Sequence, residues 1–162
     1  MLHVVLIEPE IPPNTGTIGR LCLATGARLH LVGPLGFSMD DRTLKRAGLD
    51  YWKEVDCHRW EDFPALQSAA GPARFFFLTT KSTKAYWTQT FEDGDYLVLG
   101  RETRGLPESL LNAHPQQCLT IPQREVRSLN LAVSAGIVLY EAVRQLACRT
   151  AAPAVPAPAP SP

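Results

Sequence analysis

Three separate stretches of this sequence carry arginine, glutamate, serine and asparagine side chains that could align and polarise a ligand. One contains Asn14 and Arg20, the second contains Glu102 between Gly100 and Gly105, and the third is Arg127-Ser128-Leu129-Asn130. Arginine is well suited to forked contacts with phosphate and carboxylate groups. No Ser-His-Asp arrangement, P-loop or G-x-G-x-x-G motif accompanies them, so covalent catalysis, nucleoside triphosphates and nicotinamide cofactors are disfavoured. The predicted chemistry therefore depends on alignment and charge, without a metal.

The elements that must position these side chains follow from the apolar runs. Runs typical of strands alternate with helical segments, which predicts an α/β fold with a mainly parallel sheet flanked by helices. In such a sheet the loops that follow the strands meet at one edge, where ligands bind. We therefore expect one composite site. The predicted strands are His3–Glu8, Arg28–Val32, Arg74–Thr80, Tyr96–Leu99 and Gln117–Ile121.

The helical segments are bounded by caps and prolines. The proline-rich stretch 9–16 predicts a non-helical loop. Asn14 or Thr15 then caps a helix that Gly26 ends. Further helices are predicted from Asp40 or Asp41 to Gly48, over Trp60–Ala70, over Glu108–Ala113 and over Leu129–Cys148.

Each of these features also has a simpler interpretation. The loop at 100–105 is compatible with an ordinary polar turn, Asn14 with a plain helix cap, and Arg20 with a surface salt bridge. The charges at Arg42 and Arg46 fit a solvated helical face as well as a phosphate-contacting patch. The agreement of several loops favours a site over unrelated turns.

Composition sets the remaining limits. A chain of 162 residues suits one domain, predicted here over 1–150, and the Ala/Pro-rich stretch 151–162 predicts a disordered tail. The net charge is zero, with twelve arginines against four lysines. Four scattered cysteines and the absence of a signal peptide indicate a cytoplasmic protein without disulfides or zinc. No apolar stretch approaches the length of a membrane span. The helix at 129–148 is apolar around most of its circumference, which predicts a second subunit against it.

Three motifs together resemble the SPOUT (α/β-knot) RNA methyltransferases. They are Asn14-x-Gly16-x-x-x-Arg20, then Gly100-x-Glu102-Thr103-x-Gly105-Leu106-Pro107, then Ile121-Pro122 followed by Arg127-Ser128-Leu129-Asn130-Leu131 and Tyr140-Glu141. The stretches 8–16, 46–51 and 93–97 resemble the single-domain tRNA (cytidine/uridine-34) 2′-O-methyltransferase family. The resemblance covers about residues 1–148, and it departs from the family pattern at Arg101 and in a short loop between Pro122 and Arg127.

This resemblance implies a fold, a cofactor, a partner and a set of site residues. It implies a C-terminal trefoil knot, an obligate homodimer, and methyl transfer from S-adenosyl-L-methionine to the ribose 2′-hydroxyl of the wobble pyrimidine in the tRNA anticodon stem-loop. The implied catalytic residues are Arg20, Asn14, Glu102, Ser128 and Asn130. The implied cofactor-binding residues are Leu78, Gly100, Ile121, Ser128, Gly105 and Leu129, and those predicted to bind RNA are Arg42, Arg46 and Arg127.

Three alternatives stay open at this point. The nearest is a 2′-O-methyltransferase of the same superfamily acting on ribosomal RNA or on another tRNA position. A second is a non-catalytic RNA-binding dimer, and a third is a flavodoxin-like or nucleotide-binding protein.

Overall fold

The computed structural model describes residues 1–38 and 50–150. The predicted helix at 40–48, with Arg42 and Arg46, and the predicted tail at 151–162 lie outside the described residues. The interpretations placed on those residues therefore stay predictions.

The fold is built on a parallel six-stranded sheet, which confirms the predicted α/β class. The strands are β1 His3–Ile7, β2 Arg28–Val32, β3 Cys57–Trp60, β4 Phe75–Leu78, β5 Tyr96–Leu99 and β6 Cys118–Leu119. The strand order is β3-β2-β1-β5-β4-β6, and every pair of named strands in it is parallel. The predicted strands Arg74–Thr80 and Gln117–Ile121 were longer at both ends than β4 and β6.

Four α-helices flank the sheet in the described ranges. They are α1 Pro12–Thr25, α2 Phe63–Ala70, α3 Glu108–Ala113 and α4 Leu131–Thr150. Short 3₁₀ turns lie at Asp50–Glu54, Tyr86–Thr88 and Pro115–Gln117.

The start of α1 corrects the sequence prediction. Pro12 and Pro13 occupy the first two helical positions, where a missing N–H costs nothing because those groups have no intrahelical partner. The residue that precedes the helix is Ile11, whose side chain makes no capping hydrogen bond. Asn14 and Thr15 thus lie inside the first turn and do not cap it. The predicted end at Gly26 is confirmed, with φ at 68°.

The segment around Trp60 also differs from its prediction. Residues Cys57–Trp60 form the edge strand β3, and α2 begins only at Phe63, after Asp62. The Asp62 carboxylate accepts a hydrogen bond from Ala65 N at 2.8 Å, which caps α2. Strand β3 was missed because an edge strand with partly exposed side chains lacks a continuous apolar run.

Each face of the sheet has its own core. Helices α1 and α4 pack on one face, where Ile18 and Cys22 meet Ala135, Val138 and Leu139. On the other face Phe63 and Leu66 of α2 pack with Phe77 and Val98, and Leu111 of α3 joins them. Since both faces are covered, the strands β1, β4 and β5 are nearly continuous apolar runs.

Helix α4 corrects the expectation that no apolar stretch is long enough for a membrane. By length and composition, Leu131–Arg149 qualifies as a candidate span, with a mean hydropathy of 1.3. However, Ala132, Ala135, Val138, Leu139 and Ala142 of this helix are buried in the core beside α1. This packing accounts for the buried face of the helix, so α4 is a core helix of the domain.

A buried histidine on β2 makes stability depend on pH. Trp60 Nε1–H donates to His30 Nδ1 at 3.0 Å, so the proton of His30 lies on Nε2, which is 2.9 Å from Nδ1 of His3. Burial lowers the pKa of His30 to about 3, and burial also lowers the pKa of His3 to about 4. Protonation of His30 would also remove the acceptor that Trp60 uses.

We expect the free energy of unfolding to fall as the pH drops below 6.5. In that range the unfolded histidines bind protons while the folded ones do not, which costs up to about 1.4 kcal/mol per pH unit for His30. Urea unfolding between about pH 7 and 5 measures this slope. The variant His30→Leu should show a shallower slope, and an equal slope in both proteins would contradict the assignment.

Candidate active site

The loops that follow β1 and β5 meet at the carboxyl edge of the sheet through Glu102. Its carboxylate accepts hydrogen bonds from the backbone N–H groups of Glu10 (2.9 Å) and Ile11 (3.2 Å) and from Nδ2 of Asn14 (3.1 Å). Helix α1 has no acidic residue in its own first turn. Glu102 therefore supplies, from a loop 88 or more residues away, the negative charge that favours a helix N-terminus.

Asn14 connects Glu102 to the third motif. Its side chain is almost buried, at 9% exposed, and Oδ1 accepts a hydrogen bond from Nδ2 of Asn130 at 3.0 Å. Asn14 thus donates to one loop and accepts from another. The structure brings together Asn14, Glu102 and Asn130, one predicted site residue from each motif.

Asn130 also begins α4. Its Oδ1 accepts from the backbone N–H groups of Ala132 (2.8 Å) and Val133 (3.3 Å), which is the contact of a helix cap. The side-chain amide is therefore fully oriented: the oxygen holds the helix and the nitrogen faces Asn14. The helix begins at Leu131, two residues after its predicted start.

Arg20 lies apart from this network, on the exposed side of α1. Its guanidinium carbon is 4.4 Å from the centroid of the Tyr51 ring, and the Tyr51 hydroxyl donates to Gly16 O at 2.8 Å. A guanidinium over an aromatic face is a favourable cation–π contact that leaves its N–H groups free to donate. The hydrogen bonds of Glu102 go to the start of α1 and not to this guanidinium.

Tyr51 was missed as a site residue. It ends the motif 46–51, but only its packing against the second turn of α1 shows what it contacts. A contact between residues 31 positions apart leaves no periodic signal in a single sequence. Gly19 beside it shows the same close packing: a Cβ there would lie 2.6 Å from the Trp52 ring.

The predicted cofactor-binding positions follow three adjacent strands. Leu78 ends β4, Gly100 follows β5 and Ile121 comes two residues after β6. A Cβ at Gly100 would lie 2.2 Å from the carbonyl carbon of Gly105, so only glycine fits. Arg101 and Gly105 exchange two backbone hydrogen bonds, and Gly105 has φ at 68°. These features make a tight, closed loop at the end of β5, the strand that pairs with β4.

This edge of the sheet combines apolar side chains with a buried polar atom. Leu78 and Ile121 are half-buried apolar side chains. Two residues after Ile121, on the same loop, the buried Gln123 Oε1 has no hydrogen-bond partner. Apolar surface with a few polar groups is typical of small-molecule sites. A few residues further along the chain, Arg127 and Ser128 are exposed to solvent and Leu129 is half-buried. Within residues 1–38 and 50–150 no group of three or more His, Cys, Asp or Glu side chains could hold a metal ion.

The comparisons with known proteins agree with this geometry. Residues 1–140 match the model of the SpoU rRNA Methylase family. The tRNA (cytidine(34)-2′-O)-methyltransferase of Escherichia coli K12 is 52% identical over 148 residues, which cover 90% of this chain and 94% of the relative. A solved structure concerning 2-OH methylation of C/U34 on tRNA is 46% identical with a TM-score of 0.86, and covers 92% of this chain and 98% of that one. An AdoMet-bound rRNA methyltransferase from Sinorhizobium meliloti is 31% identical with a TM-score of 0.73, and covers 90% of this chain and 56% of that one.

The parallel sheet with its three-motif edge is thus that of an α/β RNA methyltransferase of the SPOUT class. The chain belongs to the SpoU methylase family. The trefoil knot implied by the sequence resemblance follows from this membership.

Proposed function

We propose that this protein transfers the methyl group of S-adenosyl-L-methionine to the ribose 2′-hydroxyl of the wobble pyrimidine, position 34, in the tRNA anticodon stem-loop. The observation that carries the proposal is the hydrogen-bonded set Glu102–Asn14–Asn130, which joins three motif loops at one edge of the sheet. The relative from Escherichia coli, at 52% identity over nearly its whole length, supports the choice of substrate. We place the reaction in the cytoplasm, where tRNA is found.

Leu78, Gly100, Gly105, Ile121, Ser128 and Leu129 are the residues that would hold the cofactor. When bound, S-adenosyl-L-methionine supplies a methyl group on a positively charged sulfur. The hydrogen bonds between Arg101 and Gly105 hold the backbone of the loop at 100–105 in place. The backbone groups that would bind the cofactor are therefore ordered before the cofactor binds. Ser128 adds a hydroxyl on an exposed stretch of backbone just ahead of α4.

The chain's own task is to align the ribose hydroxyl and to stabilise charge as the hydroxyl proton passes to solvent water. We assign this to Arg20, whose guanidinium keeps its proton and donates hydrogen bonds. Its N–H groups orient the 2′-hydroxyl and the adjacent phosphate and stabilise the developing alkoxide. Tyr51 holds the guanidinium from one side, and Asn14 and Glu102 fix the helix that carries it.

The RNA-binding surface and the homodimer complete the proposal. Arg127 is exposed beside the site, and Arg42 and Arg46 are proposed as further phosphate contacts. On α4, Val133 and Tyr140 are each 51% exposed although the opposite face of the helix is in the core. A second subunit against this face would remove both side chains from water.

Labelled S-adenosyl-L-methionine and total tRNA lacking wobble ribose methylation test the proposal. After incubation with the purified protein, nuclease mapping by mass spectrometry should locate a 2′-O-methyl group on the pyrimidine at position 34. Transfer to another tRNA nucleotide, or transfer only in a parallel incubation with ribosomal RNA, would move the function to the alternative substrate of the same superfamily. Cofactor binding without transfer to any RNA would reject an RNA methyltransferase activity.

A further inference from the structure

The loops after β1 and β5 hold each other in both directions. Glu102 on the second loop accepts from the backbone N–H groups of Glu10 and Ile11 on the first. In the opposite direction the Glu10 carboxylate accepts from Thr103 N at 3.2 Å and from the Thr103 hydroxyl at 2.8 Å. We call the hydrogen bonds among Glu10, Glu102 and Thr103 the reciprocal contact.

The reciprocal contact lies between two rigid supports. On one side, Gly36 N donates to Pro9 O at 3.0 Å, and a Cβ at Gly36 would lie 2.9 Å from the Cα of Glu10. On the other side, Arg101 and Gly105 close the second loop. Glu8 and Arg101 add an ion pair between the same two loops. Displacing either loop alone would therefore break charge-assisted hydrogen bonds, which are the strong ones.

Helix α1 needs this support because it has no side-chain cap of its own at Ile11. The helix carries Asn14 and Arg20, and the second loop carries Gly100 and Gly105. The contact between the two loops thus contributes directly to the position of one set relative to the other.

We propose that Glu10 is a positioning residue of this enzyme, acting through Thr103 to set the distance between α1 and the loop at 100–105. The inference rests on the proposed function, because the distance matters for bringing the ribose hydroxyl to the cofactor. Glu10 touches neither reactant. A misplacement of about 1 Å lowers a rate about 100-fold, so partial loosening of one contact should cost about tenfold.

The kinetic test compares Glu10→Ala with Glu10→Gln and Thr103→Val with Thr103→Ser. We expect Glu10→Ala to lower the single-turnover methylation rate about tenfold and Thr103→Val several-fold, with cofactor affinity within about twofold of wild type. Thr103→Ser, which keeps the hydroxyl, should restore the rate, and Glu10→Gln, which keeps an acceptor oxygen, should fall between. Wild-type rates in Glu10→Ala, or a rate loss matched by an equal loss of cofactor affinity, would overturn the proposal.

Amide hydrogen exchange on the free protein tests the same contact without any substrate. The side chain of Thr103 does not contact Glu10 N or Ile11 N. If the two loops hold each other, Thr103→Val should nevertheless make both amides exchange faster, by about tenfold, because it weakens the contact that holds them against Glu102. Thr103 is exposed, so this variant should fold. Unchanged exchange at both amides would overturn the proposal. If the wild-type protein methylated no tRNA, the proposed function would fail while the exchange data would still decide the role of Glu10.

Discussion

Replacing Arg20 by alanine is expected to abolish methyl transfer while cofactor binding survives. Removing one donor that stabilises developing negative charge typically costs about 100- to 1000-fold in rate, and Arg20 is also assigned the orientation of the hydroxyl. Its side chain is exposed on α1 and belongs to neither core, so the fold loses only the contact with Tyr51, about 0.5–1 kcal/mol. The predicted cofactor positions lie on other elements, after β4, β5 and β6.

Single-turnover methylation of tRNA and calorimetric titration with S-adenosyl-L-methionine measure the two effects separately. Arg20→Lys keeps the charge but loses the planar fork, so it should recover only a small part of the rate. Arg59→Ala removes an exposed arginine from β3, the strand at one edge of the sheet, and serves as the matched control. Loss of both transfer and cofactor binding in Arg20→Ala would contradict the separation of roles.

The composite site was predictable because it depends on topology. Alternating strands and helices require a parallel sheet, and a parallel sheet gathers its loops at one edge. Asn14, Glu102 and Asn130 could therefore be expected together although 88 and 116 residues separate Asn14 from its two partners. Their individual hydrogen bonds could not be predicted, since those depend on side-chain directions that no spacing records.

The errors arose where tertiary packing replaced a local signal. The prolines predicted a non-helical stretch at 9–16, but at the first two helical positions Pro12 and Pro13 suit the start of α1. The cap was assigned to Asn14 or Thr15 because a single sequence does not show that Glu102, from a distant loop, accepts from the backbone N–H groups just ahead of the helix. Strand β3 was missed because its pairing with β2, and not its own hydrophobicity, makes it a strand.

Replacing Asp95 by alanine is expected to lower the free energy of unfolding by about 2–4 kcal/mol. The carboxylate is 2% exposed and accepts three hydrogen bonds of 2.7 Å, two from the Arg74 guanidinium and one from Glu92 N. These bonds raise the pKa of Arg74, since they stabilise its charged form. Breaking a buried charged pair by removing one partner costs about 3–5 kcal/mol, and the part-exposed Arg74 recovers some of this by hydration.

Urea unfolding of Asp95→Ala should show this loss as a lower midpoint with an unchanged slope. Asp93→Ala, two residues away at an exposed carboxylate, is the matched control and should lie within about 0.5 kcal/mol of wild type. Asp95 precedes β5 and therefore lies at the amino edge of the sheet, opposite the candidate site. Folded Asp95→Ala should accordingly keep its methylation rate. If this variant had the stability of the wild type, the ion pair with Arg74 would make no net contribution to the free energy of unfolding. Loss of rate without loss of stability would contradict the placement of the site at the carboxyl edge.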